Sequence, residues 1–519
     1  MKKMVQVLII VALVIAIFFG TYGISRVQLK KESVSFKSGT WDEKNWDINS
    51  TFNPDDSELY HTIEVEKGKD FNLLVVTDMH YRNDGWYGNW AINFQNTQTD
   101  KDLKKLKELT NPDLIIAIGD IQTGSLNDKN FENFVDIMDE IGVPWTMVFG
   151  NHDAEHRADK PAIMNIIQKS KSTVFRQGPT NLGIEESEVL DKSIYNEKIS
   201  RYAGGLGNTV ITLKDKETGR IFYSFILMDT GDWQNMHGNM TAKNRLTVGE
   251  RPFSRVGVGL TNRQIEWYKW VIDGLKQYNL EKGESENTTP PETMLLCHIG
   301  MKVLDYATIL SQYENSYNGE YVKGGYDNND LPFHTEAEWS RPADRSYIEY
   351  DGSNNDITSN EKIMSKVKEF SENSKEKDAN SAISQYWILA DNTKRESYIN
   401  GENTDFPTPK KIAELVPIID RGYAIHREND VFLSAVIEKG STKRVVTGHN
   451  HCDGYEVLFD GITYTSVVKT GSIYVDKDCD MENRGGSKFV ITNKGDKATV
   501  TSSAVYTMKN DYKSTRFPR

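Results

Sequence analysis

Five apolar runs in this 519-residue chain end in side chains able to ligate metal ions. The run 71–76 delivers Asp78 and His80, and the run 113–118 delivers Asp120 after Gly119. The run 145–149 delivers Asn151, His152 and Asp153 after Gly150. The run 293–297 delivers His298, and 442–447 delivers His449 and His451 after Gly448. Carboxylate, imidazole and amide oxygen suit hard to borderline divalent or trivalent ions. An Asp-x-His at a strand end places both side chains on one side of the chain, where they can chelate one ion. With His152 set aside, Asp78, His80, Asp120, Asn151, His298, His449 and His451 are enough ligands for two ions sharing one carboxylate. Two ions about 3.5–4 Å apart suit in-line displacement at phosphorus, where they clamp the attacking and leaving oxygens. Each motif alone also fits a polar turn after a buried strand; five in one order do not.

The elements that must position these residues alternate. Strand, helix, strand, helix, strand are read from 71 to 149, with helices over 100–109 and 131–141. That order implies parallel strands with right-handed crossovers. Ligands of open α/β sheets collect outside the carboxyl ends of strands. Gly150 lets the backbone turn there and approach a ligand closely. Farther on, 209–213 and 221–227 read as a hairpin, 261–278 and 430–439 as helices, and 462–468, 488–491 and 498–505 as strands. There is no internal repeat and no nucleotide-binding P-loop.

Apolar and charged fractions of 38% and 26% are ordinary for a globular chain, which excludes wholesale disorder. A net charge of −13 without a visible basic patch argues against a nucleic-acid duplex as partner. Lys2 and Lys3 precede an apolar run over 7–19, extended loosely to 24. Its length lies between a long signal-peptide core and a short membrane helix. No good cleavage site follows, so residues 1–25 are expected to be an uncleaved signal-anchor, with the Lys pair inside and the rest exported. Cleavage would instead give a secreted protein. Residues 26–69 read as a stalk leading into an edge strand. Residues 70–519 read as one domain with insertions at about 154–292 and 305–429, expected to build the rim of the site. Cys297, Cys452 and Cys479 form no disulfide framework; Cys297 and Cys452, beside His298 and His451, are expected as small strand-end fillers.

The motifs Asp78-Met79-His80, Gly119-Asp120, Gly150-Asn151-His152-Asp153, an isolated His298 and Gly448-His449-Asn450-His451 resemble those of the calcineurin-like metallophosphoesterase superfamily. The resemblance spans roughly residues 70–475 and is nearest the purple-acid-phosphatase-like branch, with less specific support from 204–208, 228–232, 264–267 and 469–471. It implies an α/β fold of two sheets in a sandwich, and an exported dinuclear-metal phosphoesterase, a phosphatase in the first instance. On that resemblance Asp78, His80 and His451 would hold one ion and Asn151, His298 and His449 the other. Asp120 would bridge the two, together with a hydroxide that attacks phosphorus in line. His152 would face the substrate and stabilise or protonate the leaving oxygen, with Asp153 orienting its ring. The ions would be Fe, Mn or Zn. Thr123 stands where true purple enzymes have Tyr, and His80 where they have Gly, so no tyrosinate–iron colour is expected.

Two alternatives remain on the sequence alone. One is a phosphodiesterase acting on nucleotides, wall polymers or lipid headgroups; the other is a non-catalytic surface-binding protein on the same fold. His156 and Arg157 read as exposed residues of a helical turn rather than phosphate contacts. Trp86, Tyr87 and Trp90 read as loop packing or as a stacking platform, and His237 is a candidate to enter the site from the first insertion.

Overall fold

The computed structural model describes residues 37–82, 86–124, 126–154, 157–183, 204–231, 260–285, 289–300, 432, 435–449, 451, 455–459, 462–472, 484–495 and 497–507. Its strands, in chain order, are β1 (His61–Val65), β2 (Asp70–Val76), β3 (Leu114–Ile118), β4 (Trp145–Val148), β5 (Thr209–Asp215) and β6 (Ile221–Leu227). They continue with β7 (Glu292–Cys297), β8 (Thr442–Thr447), β9 (Tyr455–Phe459), β10 (Ile462–Ser466), β11 (Gly485–Asn493) and β12 (Ala498–Tyr506). Four helices carry the labels α1 (Trp86–Thr110), α2 (Asn127–Ile141), α3 (Lys160–Ile167) and α4 (Asn262–Glu281).

Two sheets form. Five strands run in the order β12-β11-β2-β3-β4, and seven in the order β1-β5-β6-β7-β8-β10-β9. β2, β3 and β4 are parallel, as are β6, β7 and β8, so the strand ends that carry the candidate ligands lie at one end of each sheet. Alternation along β2 explains the layering. Leu73 and Val75 join Ile116, Phe225, Leu296, Val446 and Phe489 in an apolar core drawn from both sheets. Leu74 and Val76 join Phe131, Phe134, Met138 and Trp145 in a second core shared with α2. A period of two sends neighbouring side chains to opposite faces, and both faces of β2 and β3 are covered.

Helix ends follow local chemistry. The Thr261 hydroxyl accepts from Gln264 N–H at 3.1 Å while the Gln264 side chain accepts from Thr261 N–H at 2.9 Å, a capping box that starts α4. Asp159 caps α3, with Pro161 in its first turn, and Gly142 at φ 71° closes α2.

The two-sheet α/β sandwich expected from the sequence is present, with the 209–227 hairpin as the antiparallel pair β5–β6. The stretch 154–292 holds β5, β6 and α4, and every residue of both strands is buried. Two expectations need correction. Trp86, Tyr87 and Trp90 stand in the first turns of α1, not in a loop. Residues 37–60 are no free stalk. They form a strap in which Gln177 exchanges hydrogen bonds with the backbone of Asp42, and Asn181 with that of Trp46. Trp46, Phe52 and Tyr60 are buried, and Phe52 stacks against Trp270 at 5.5 Å. The strap ends in β1, which is an edge strand as expected. Residues 1–25 and 305–429 lie outside the described residues, among which no helix is long and apolar enough to cross a membrane.

The strap is thus part of the folding unit. Phe52→Ala should lower stability by about 3–4 kcal/mol, and a chain starting at residue 61 should melt well below one starting at 37. Equal melting temperatures for the two chains in calorimetry would return residues 37–60 to the role of a stalk.

Candidate metal centre

The carboxyl ends of β2, β3, β4, β7 and β8 meet where the two sheets join. Of five non-glycine residues with positive φ among the described residues, four are candidate ligands: Asp78 (53°), His80 (51°), Asp120 (50°) and His449 (68°). Left-handed backbone costs such residues of order 1 kcal/mol or more each and persists only where surroundings enforce it. The enforcing bonds are visible. Asp78 N–H donates to the Gly119 carbonyl at 3.1 Å and His80 N–H to that of Asp120 at 2.9 Å. His449 N–H donates to Asp78 Oδ2 at 2.9 Å, from one sheet to the other. Two glycines permit the approach: a Cβ on Gly150 would lie 2.2 Å from Asp120 N, and one on Gly448 2.0 Å from Thr77 Oγ1.

The side chains converge in two groups that share Asp120. Asp78, His80, Asp120 and His451 bring their ligand atoms within 4.8 Å of one another, as do Asp120, His298 and His449. His80 Nε2 and His451 Nε2 are 2.9 Å apart and lie 3.5 and 3.2 Å from Asp78 Oδ1. His298 Nε2 lies 3.2 Å from Asp120 Oδ2 and 3.0 Å from Asn151 Oδ1. Each carboxylate spends one oxygen on the protein. Asp78 Oδ2 accepts from the Thr77 hydroxyl at 2.8 Å and from His449 N–H; Asp120 Oδ1 accepts from His152 N–H at 2.8 Å. The other two oxygens, Asp78 Oδ1 and Asp120 Oδ2, are buried and receive no hydrogen bond. His298 Nδ1–H donates to the Ile118 carbonyl at 2.7 Å, which fixes the tautomer that turns the Nε2 lone pair inward. Bare carboxylate oxygens amid imidazole lone pairs fit cations, and the donor set fits two.

Residues 71–322 match the family model described as calcineurin-like phosphoesterase. Residues 71–322 form a calcineurin-like phosphoesterase domain. Its reaction class is metal-dependent hydrolysis of phosphoric esters. The match stops short of His449 and His451, which the sequence motif assigned and which the geometry brings to the two ligand groups. No curated protein matches the chain in sequence. Similar solved structures include a dimetal phosphatase from Danio rerio, at 9% identity and TM-score 0.35, covering 84% of this chain and 98% of that one. Another is the purple acid phosphatase PPD1 from yellow lupin seeds, at 10% identity and TM-score 0.30, covering 86% of this chain and 53% of that one.

Electrostatics in the phosphoesterase site reflect its burial. Burial works to raise the Asp78 carboxyl, yet the His451 and His80 imidazoles beside it hold it well below the usual range. Burial opposes protonation of His298, but the Asp120 charge outweighs it and carries the imidazole up to about 9. Burial and the charge of His298 push His449 down to about 3. Burial and then the Lys469 ammonium hold His80 well below an ordinary imidazole. Lys469 is itself buried and donates to the Asp78 carbonyl at 3.1 Å, a role the sequence reading did not assign.

One assigned role is overturned. Asp153 does not spend its carboxylate on the His152 ring. It accepts backbone N–H from Gly150 (2.7 Å), Ile121 (2.8 Å), Asp120 (3.1 Å) and Gln122 (3.3 Å), tying the β3 and β4 turns together. Burial and the Asp120 charge nonetheless push its carboxyl up to about 7. Arg157, expected to be exposed, is 4% exposed and bonds Asp128 through Nε at 2.9 Å and Nη2 at 2.5 Å. Cys297 is a buried strand-end filler as expected, its thiol raised to about 12 by desolvation. His156, His237, Cys452 and Cys479 lie outside the described residues, as do the side chains of Trp86, Tyr87 and Trp90.

Two outcomes follow from these charges. A metal ligand must be a neutral imidazole, whereas metal-free His298 stays charged below a pH of about 9. Metal uptake at neutral pH should therefore release about one proton per chain, and affinity should weaken as pH falls. Calorimetry in two buffers of different ionisation enthalpy reads this directly, and zero release would contradict the assignment. Asp153→Asn places an amide donor against backbone donors and should cost about 3 kcal/mol, lowering melting temperature and metal content together. A pure change in pH profile with stability intact would restore Asp153 to the ring-orienting role.

Proposed function

We propose that this domain is an exported phosphatase, held at the membrane through residues 1–25 or secreted if they are cleaved, that hydrolyses a phosphate ester at two metal ions. The observation that carries the reading is the pair of ligand groups sharing Asp120, each with a bare buried carboxylate oxygen. Asp78, His80 and His451 would hold one ion and Asn151, His298 and His449 the other, with Asp120 shared by both groups. The oxygen and nitrogen donors suit Fe, Mn or Zn. When bound, such ions lower the pKa of water and neutralise charge that develops on phosphoryl oxygens. Export is inferred from Lys2, Lys3 and the apolar run that follows them.

The chain's own residues do the positioning. Asp120 fixes the reacting region from two sides, with Oδ2 facing His298 and Oδ1 on the His152 amide. His152 is half-buried with its ring 5.4 Å from that of His80, so it borders the ions without belonging to either ligand group. From there it donates a hydrogen bond or a proton to the leaving oxygen.

Elemental analysis of the purified protein should find close to two metals per chain, and hydrolysis of an aryl phosphate monoester should exceed that of the bis-aryl diester. Diester preference would make it a phosphodiesterase. Metal without turnover of either would favour the binding role, and no metal after supplementation with Mn, Zn and Fe would end the reading. Asp120→Ala should lose metal and activity together. His152→Ala should keep its metal while kcat falls about 10²–10⁴-fold. The reverse pattern would exchange the two roles.

A further inference from the structure

We propose that Gln122 is a positioning residue that fixes His152 for its work on the leaving oxygen, and that Asn130 fixes Gln122 in turn. The inference rests on the role given to His152 above. His152 sits in a turn of four residues, 151–154, with no helix or strand ladder to hold its backbone. Side chains hold it instead. Its N–H donates to Asp120 Oδ1 at 2.8 Å, and its carbonyl accepts from Gln122 Nε2 at 2.5 Å. Gln122 Nε2 also reaches the Asp153 carbonyl at 3.2 Å, and Gln122 Oε1 accepts from Asn130 Nδ2 at 3.2 Å. Gln122 and Asn130 are fully buried, and Asn130 spends its side-chain Nδ2 on Gln122 while its Oδ1 has no hydrogen-bond partner.

The geometry makes a clasp. Asp120 and Gln122 lie two residues apart and seize the amide and the carbonyl of the same residue. Asp153 returns the grip by accepting from the N–H groups of 120–122. Asn130 extends the chain of bonds into the first turn of α2, which is anchored by Phe131 and Phe134 in the core. The His152 ring therefore takes its direction from a rigid helix through two amide side chains. Gln122 belongs to neither ligand group, so its loss should disturb His152 and leave the ions in place.

A leaving group with a high pKa needs protonation in the transition state, and one with a low pKa does not. Loss of positioning at His152 thus hits alkyl phosphates harder than p-nitrophenyl phosphate, whereas partial unfolding or metal loss lowers both equally. The test uses the full chain loaded with Mn, comparing wild type, His152→Ala, Gln122→Met and the double variant. Gln122→Met should keep its metal and lose about 10–100-fold in kcat on an alkyl phosphate, with less than about 3-fold on p-nitrophenyl phosphate. The double variant should be no slower than His152→Ala alone. In the metal-free chain, amides 150–153 should exchange faster with solvent in Gln122→Met. Asn130→Ala should show the same signature, smaller, and carries the test if Gln122→Met fails to fold. Equal losses on both esters, or additive losses in the double variant, would overturn the inference while leaving His152 its role. A His152→Ala variant without leaving-group dependence would overturn that role, and this inference with it.

Discussion

Two carboxylates, Asp78 and Asp120, are buried completely at a point where each has one oxygen without a hydrogen-bond donor. A buried anion in that condition is costly unless something positive answers it. The imidazoles answer in part, and His298 takes up a proton to do so. Much of the surrounding structure reads as what is needed to hold this arrangement. The left-handed backbones at Asp78, His80, Asp120 and His449 turn the side chains inward, and the glycines at 150 and 448 let the strand ends close on one another.

Cross-sheet bonds place the site at the seam of the sandwich. His298, after β7, donates to the Ile118 carbonyl at the end of β3, and His449, after β8, donates to Asp78 after β2. Of these residues only Ile118 belongs to the apolar core between the sheets. The sandwich can therefore stand on its core, while the relative placement of the two ligand groups depends on the seam. Ions bound there would stabilise the folded state by linkage and would tighten the seam more than either sheet.

How far the sequence displayed this depends on what kind of signal each feature leaves. Strand ends were legible because a run such as Leu114–Ile118 is wholly buried and its polar successor then stands out. The hairpin 209–227 was legible too, though its place as β5–β6 inside the seven-stranded sheet was not, since no motif marks those strands. Asp153 was misassigned for a physical reason. The resemblance implied a side-chain partner in His152, but a carboxylate can equally serve backbone amides, and amides are identical at every position. Gln122 and Asn130 were invisible on the same ground, because their partners are a carbonyl and one another. The strap at 37–60 looked like a stalk because it is polar, yet Gln177, Thr180 and Asn181 supply from their side chains the bonds a neighbouring strand would have given.

That substitution of side-chain amides for a ladder recurs at the site, and it says something about what the loops around the ions must do. A β-ladder fixes a strand in one register and admits little local change. The turn 150–153 needs four orientations in succession: a bare Gly150, Asn151 toward His298, the His152 ring toward that of His80, and Asp153 back into the protein. Regular structure cannot supply four unrelated directions, since its side chains repeat with a fixed period. Bonds from Asp120, Gln122 and Asp153 supply them one at a time, at the cost of burying polar groups that must all be paired. Precision at this turn is therefore a property of hydrogen bonds between β3 and β4 turns, and the apolar framework beneath sets only where those turns meet.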